Sequence, residues 1–250
     1  MPRFFYPLLA LSQLLAVILL VLTGYWTGHL LGGFAWDGSE QQFNLHPLLM
    51  ILGLVFLHGD AILMFRIFRK ENKTVVKVIH LVMHVATLIC IVIALKATFS
   101  YHRHAGYANL YSAHSWIGLL TVLLFFMQWV GGFVSFFLPW LNSDKRAELL
   151  PFHRFFGIAI FTMACTTSLI GLNEKLFCEL SSDYSKMGTL ATVGNLLAMV
   201  LVAFALVVGF LVTYPPYQRT SVPDIEKLPL TQAASMRDFQ STDDDRVLEE

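Results

Sequence analysis

Residues 46–68 read HPLLMILGLVFLHGDAILMFRIF, an apolar run broken only by His46, His58, Asp60 and Arg66. As an α-helix it would be about 35 Å long at 1.5 Å per residue. That is enough to cross the ~30 Å hydrocarbon core of a bilayer. Working outward, five further runs qualify, at 5–29, 78–98, 113–140, 152–173 and 188–213. The first resembles a signal peptide in position, but its uncharged stretch from Phe4 to Leu31 outlasts a typical signal core and no clean small-residue cleavage site follows. It is read as a retained helix. The expected fold is therefore an all-α membrane protein of six transmembrane helices.

The bulk numbers agree. The chain is 56% hydrophobic and 14% charged with a mean hydropathy of +0.63, against about 25% charged residues in a soluble domain. A formal net charge of zero gives no basic footprint for nucleic acid. Cys90, Cys165 and Cys178 make no disulfide framework. No Cys-x-x-Cys-His run exists, which excludes covalent c-type haem attachment. Lys and Arg divide thirteen to four between alternate loops, or nine to four without the C-terminal segment, so both termini are expected in the cytosol. Asn72-Lys73-Thr74 is a glycosylation sequon that this topology places in the cytosol, and a glycan on Asn72 would reverse it. Residues 1–214 read as one membrane domain. Residues 215–250, with four prolines and Asp243-Asp244-Asp245, read as a disordered cytosolic tail.

Nine histidines in so apolar a chain are functional candidates, because ionisable groups in a bilayer are expensive. His46 begins the second helix and His114 the fourth, both on the non-cytosolic side. His153 begins the fifth helix on the cytosolic side, where His80 lies just inside the third. Antiparallel neighbours thus set two pairs at two depths. Two imidazoles facing each other across a bundle suit the axial positions of one haem iron, and a site so closed carries electrons rather than activating oxygen. The two irons would lie roughly 20 Å apart across the ~30 Å core. Zinc is the competing metal, although no His-x-x-x-His with a carboxylate is present. His80 and His84 are spaced i, i+4, and spacing alone leaves either as the third-helix ligand. His58 reads as a buried hydrogen-bonded side chain near Asp60, and His29 as interfacial.

These residues closely resemble the cytochrome b561 family of ascorbate-dependent transmembrane oxidoreductases, over nearly all of 10–215. The segments carrying the resemblance are Gly32-Gly33-Phe34-Ala35-Trp36, Phe43-Asn44-Leu45-His46-Pro47, Lys77-Val78-Ile79-His80, Asn109-Leu110-Tyr111-Ser112-Ala113-His114-Ser115-Trp116, Pro151-Phe152-His153 and Gly171-Leu172-Asn173-Glu174-Lys175. The histidine spacing of 34, 34 and 39 residues fits as well. Ser12-Gln13-Leu14-Leu15, Tyr101-His102-Arg103 and Gly106-Tyr107-Ala108 resemble the secretory-vesicle (chromaffin-granule) type. Lysosomal and duodenal relatives share most of the other motifs, so an endosomal, lysosomal or plasma membrane is the alternative location.

The resemblance implies two haem b groups, held by His46 with His114 on the non-cytosolic side and by His80, rather than His84, with His153 on the cytosolic side. It implies helices 2–5 as a four-helix core around them, with no catalytic residue beyond the haems. Lys73, Lys77 and His80 form an i, i+4, i+7 stripe, and Arg146 precedes His153 by seven residues, with Pro151 putting a continuous helix in doubt. The family assigns Lys73, Lys77 and Arg146 to cytosolic ascorbate, and Arg66 and Lys73 to haem propionates. It places His102 at the non-cytosolic acceptor, the turn Asn109, Leu110, Tyr111 and Ser112 along that haem, and Glu174 near its edge. Asn195 is a further candidate there, and His104 reads as solvated. The implied acceptor is monodehydroascorbate, with a ferric complex as the alternative. A homodimer is common in the family, though Gly131-Gly132 is no helix-pairing motif by itself.

Overall fold

A computed structural model describes residues 3–219. Six helices are long and apolar enough to cross a membrane: α1 Phe5–Leu30, α2 Glu40–Ile67, α3 Lys73–Ala105, α4 Ala113–Phe137, α5 Ser143–Lys186 and α6 Thr189–Thr213. No strand occurs among the described residues. Starts and stops follow local chemistry. Asn72 caps α3 by accepting from Thr74 N at 2.8 Å, Ser112 and Ser115 form a capping box on α4, and Asn142 accepts from Lys145 N on α5. Each cap satisfies backbone donors that the first turn leaves unpaired. Gly106, at φ 74°, ends α3 in the left-handed region, where only glycine escapes a Cβ penalty.

The helices are longer than the apolar runs, because hydropathy ends at the bilayer while hydrogen bonding does not. α3 has 33 residues, about 50 Å at 1.5 Å per residue. α5 is α-helical from Ser143 to Leu180, straight through Pro151. The continuity that Pro151 put in doubt is present, although the ring removes one hydrogen bond to the carbonyl four residues back. Short π-helical turns interrupt α1 at Trp26–Leu30, α2 at Ile51–Leu57 and α4 at Phe133–Phe137. Each adds a residue to the turn and rotates the side chains beyond it about the helix axis.

α2 packs on α3 and α4 on α5, while α1 closes on α6, which also covers α5. α3 and α4, consecutive in sequence, scarcely touch. Two helix pairs, α2–α3 and α4–α5, therefore face each other across a slot. One buried core (Leu19, Val55, Leu63, Phe161, Leu201, Phe204) joins α1, α2, α5 and α6. A smaller one, Leu54, Ile91, Phe125, Ile160 and Ala164, bridges the two pairs at mid-depth. Lipid tails are as apolar as these side chains, so close packing and polar contacts rather than water exclusion hold the helices together. Glycines permit the approach: a Cβ at Gly53 would lie 2.8 Å from Cys90 Cβ, and one at Gly59 3.0 Å from the Phe161 ring.

Buried polar side chains lace the bundle. Asn44 Nδ2 donates to the carbonyls of Leu31 and Gly33, both at 2.8 Å, and of Thr27 at 3.3 Å, tying the end of α1 to the start of α2 just before His46. Gln13 Nε2 donates to Asp60 Oδ1 at 2.9 Å. On the face carrying the described ends, Arg66 donates to the Val212 carbonyl and Arg69 to that of Pro216. Tyr217 is buried against Phe5, ring centres 5.0 Å apart. Residues 215–219 are thus folded onto the helix ends; the rest of the expected tail, from 220, lies outside the described residues.

Candidate functional site

Four helices deliver four imidazoles to the slot in two layers. The His46 and His114 rings stand 5.9 Å apart, centre to centre, and the His80 and His153 rings 6.2 Å. Two imidazoles on opposite sides of one metal, with bonds of about 2 Å and ring centres about 1 Å beyond each nitrogen, would be about 6 Å apart. Both layers have that separation. His80 Nδ1 lies 2.8 Å from the Ala61 carbonyl and His114 Nδ1 3.0 Å from that of Thr167. A carbonyl only accepts, so each Nδ1 carries the proton and each Nε2 keeps a free lone pair, the arrangement that orients a ligating histidine. At His153, Gln128 Nε2 donates to the backbone carbonyl at 2.6 Å and lies 3.0 Å from Nδ1.

The slot is shaped around these rings. A Cβ at Gly171 would lie 2.5 Å from His114 Cε1, and one at Gly132 would lie 2.8 Å from His153 Cε1. Neither glycine announces itself in sequence, since nothing in an apolar run marks which small residue faces an imidazole. Among the described residues no three or more His, Cys, Asp or Glu converge on a bare metal ion. Paired imidazoles across a slot fit the axial positions of a flat porphyrin.

His84 turns elsewhere. Its ring is 4.4 Å from His80 but also 5.3 Å from His58, and both His58 and His84 pack on Phe125. The expectation of a buried, hydrogen-bonded His58 holds for burial and for a bond to the Gly157 backbone, but not for the neighbour. Its Nδ1 has no partner, and Asp60 bonds Gln13 instead. Two residues along a helix differ by about 200°, so the two side chains face opposite ways.

On the face carrying the described ends, cations surround the His80–His153 layer. Lys73 opens α3 and Lys77 follows one turn before His80. Arg146 reaches the Leu138 carbonyl at 3.4 Å and keeps a buried, unpartnered Nε. Arg66 keeps a buried, unpartnered Nη1, and Arg154 lies close enough to repel it. Buried guanidinium donors without partners are costly and suit anionic groups such as propionates. In sequence Arg154 counts only as an orientation charge, because nothing in its spacing relates it to Arg66.

The opposite face is aromatic. His102 stacks near Phe43, ring centres 6.5 Å apart, and lies 6.1 Å from Tyr107 and 6.0 Å from Tyr111; its Nδ1 is buried without a partner. Phe43 in turn is 5.8 Å from His46. In the turn from Asn109 to Ser112, Leu110 has φ 57° and its carbonyl accepts from Trp116 Nε1 at 2.9 Å. Tyr111, although 58% exposed, bonds Glu174, and partial desolvation of its phenol together with that carboxylate pushes it up to about 12. Lys175 lies over the Phe43 ring, 5.0 Å from its centre, and pairs with Glu179. Asn195 is not joined to this group: its contacts are with Tyr184 Oη, at 2.6 Å, and Met187.

Residues 45–179, which carry all four facing histidines, match the family described as eukaryotic cytochrome b561. The chain is similar to the transmembrane ascorbate-dependent reductase CYB561 of Bos taurus, 45% identical over 210 residues, covering 84% of this chain and 83% of the relative. It is similar to the reductase of that name from Homo sapiens, at 41% over 219 residues (88% and 87%). To the lysosomal membrane ascorbate-dependent ferrireductase CYB561A3 of Homo sapiens it is 38% identical over 222 residues (87% and 91%).

Proposed function

The chain belongs to the eukaryotic cytochrome b561 family, and from that premise we propose that it passes single electrons from cytosolic ascorbate to an acceptor across the membrane, monodehydroascorbate. Two haem b groups, when bound in the two histidine layers, supply one-electron carriers with no open coordination position. The observation carrying this reading is the pair of facing imidazole layers, 5.9 and 6.2 Å across.

The residues take these parts. His46 with His114, and His80 with His153, would hold the two haems, the Ala61 and Thr167 carbonyls fixing two of these histidines in the ligating tautomer. The face with the described ends is cytosolic, by its excess of Lys and Arg. There Lys73, Lys77 and Arg146 bind the ascorbate anion, and Arg66 with Lys73 meets propionates; the forked Arg suits carboxylate or enediolate, the Lys a point charge. On the far face His102 contacts the acceptor, Asn109 to Ser112 and Glu174 lining the approach. A secretory-vesicle membrane fits the acceptor, and the protein then regenerates luminal ascorbate without moving the molecule. A second reading, reduction of ferric complexes, is favoured by similarity to ferrireductases.

A reduced-minus-oxidised spectrum with ascorbate as sole donor tests the core reading, and absence of haem bands would end it. In proteoliposomes, iron reduction much faster than radical reduction would replace the first acceptor with the second.

A further inference from the structure

A cleft of about 450 Å³ opens beside the aromatic mouth, between the loop preceding α2 and the end of α3. From α3 it is lined by Lys96, Ser100, Arg103 and His104, from the loop by Asp37, and from the first turn of α2 by Gln42. Lys96, Ser100 and Arg103 are spaced i, i+4, i+7 and so share one stripe of the helix. His102, one residue before Arg103, turns about 100° away toward Phe43 and Tyr111. The cleft is therefore separate from the acceptor mouth.

Its charge is unbalanced. Among the described residues the ion pairs are Lys145–Glu148, Lys175–Glu179 and Lys186–Asp183, and no carboxylate pairs with Lys96 or Arg103. Asp37, the one acid in the lining, is engaged in its own turn. It accepts from Ser39 N at 3.0 Å and from Ser39 Oγ, and these bonds hold its carboxyl below the usual range. The lining is also built rather than incidental. Gly38, at φ 86°, lies so close to the His104 ring that a Cβ would approach it to 3.1 Å. Gln42 is 2% exposed, and its Oε1 accepts from Gly38 N, which fixes the side chain at the cleft wall.

We propose that this cleft binds a small ligand carrying two or more anionic groups, either a soluble di- or tricarboxylate or the headgroup of an anionic lipid. Lys96 and Arg103 stand about 10 Å apart along the helix axis, seven residues at 1.5 Å each. Two linked anionic groups engage both cations with their side chains extended along that stripe, with Ser100 between them and His104 beside Arg103 as further donors. The site is independent of the electron-transfer reading and would take its ligand even if that reading failed.

The test uses the full-length haem-loaded protein in nanodiscs, with Lys96→Gln, Arg103→Gln and the double variant, an unchanged haem spectrum identifying folded material. In pure phosphatidylcholine discs at low ionic strength, citrate alone is titrated calorimetrically. Each single variant is expected to weaken citrate binding about tenfold, as for the loss of one charge-assisted contact, and the double variant to abolish it. Asp37→Asn, which removes only negative charge, should leave binding intact or tighten it. In discs containing phosphatidylglycerol, lipid retained by the protein is counted by native mass spectrometry. Citrate loss in the double variant assigns the site to a soluble acid, and loss of retained anionic lipid assigns it to a headgroup. If wild type and double variant are alike in both arms, the proposal is overturned.

Discussion

Replacing Gly132 with alanine places a methyl carbon 2.8 Å from Cε1 and 3.4 Å from Nδ1 of His153, whereas the same change at Gly131 meets nothing within 4 Å. Non-bonded carbons settle at about 3.5–4.0 Å, so the imidazole must withdraw by about 1 Å or the helices must part. Overpacking of this kind costs about 1–3 kcal/mol. Helix propensity works the other way, favouring alanine over glycine by about 1 kcal/mol, so damage at Gly132 must come from the contact. If the ring is an axial ligand, that cost falls on haem binding, an expected weakening of about 10- to 100-fold at 1.4 kcal/mol per factor of ten. Gly171→Ala makes a tighter contact, 2.5 Å from Cε1 and 2.7 Å from Nδ1 of His114, and should strike the other layer. The assay is haem per protein by pyridine haemochrome, with the reduced-minus-oxidised spectrum. Gly131→Ala should hold two haems, and Gly132→Ala and Gly171→Ala close to one each, with different spectral components missing. Full occupancy and unchanged spectra in both would refute the ligand assignment.

Alanine at His80 or His153 should remove one haem and at His46 or His114 the other, while His84→Ala keeps both; haem content unchanged in His80→Ala would break the pairing. Lys77→Gln with Arg146→Gln should raise the KM for ascorbate about tenfold, as expected for losing half-buried charge contacts, with little effect on haem content; steady-state haem reduction reads this. Tyr111 supplies a pH signature. Its phenol is raised to about 12 from an ordinary value of about 10, so the folded state holds the proton longer than the unfolded one. The associated stability is complete below pH ~10 and is lost as pH rises toward ~12. Phenolate absorbance should show a late-titrating group that Tyr111→Phe deletes and Glu174→Gln moves back down; a titration identical in all three proteins would refute the contact.

The six spans and the two histidine depths were legible because both depend on period and count: apolar runs about 20 residues long, and imidazoles at matched distances from their ends. The features that stayed hidden depend on neighbours. Gly132 and Gly171 matter because of the rings a methyl would strike, and His104 because of its approach to Gly38, far away in the chain. His80 and His84 share one helical face, and only the placement of α5 shows which ring opposes His153. The reach of α3 and α5 beyond the bilayer escapes a hydropathy reading because charged residues end an apolar run without ending a helix. Pro151 misleads in the same way, suggesting a boundary that the helix crosses.

The mid-depth core of Leu54, Ile91, Phe125, Ile160 and Ala164 has an electrical consequence. These five side chains carry no donor or acceptor, although the imidazoles of His58 and His84 pack on Phe125 beside them. An electron passing between the layers without an accompanying proton would work with or against the transmembrane voltage at about 2.3 kcal/mol per elementary charge per 100 mV. Turnover in a sealed vesicle should accordingly polarise the membrane and slow itself, until an ionophore or a proton pump in the same membrane closes the circuit.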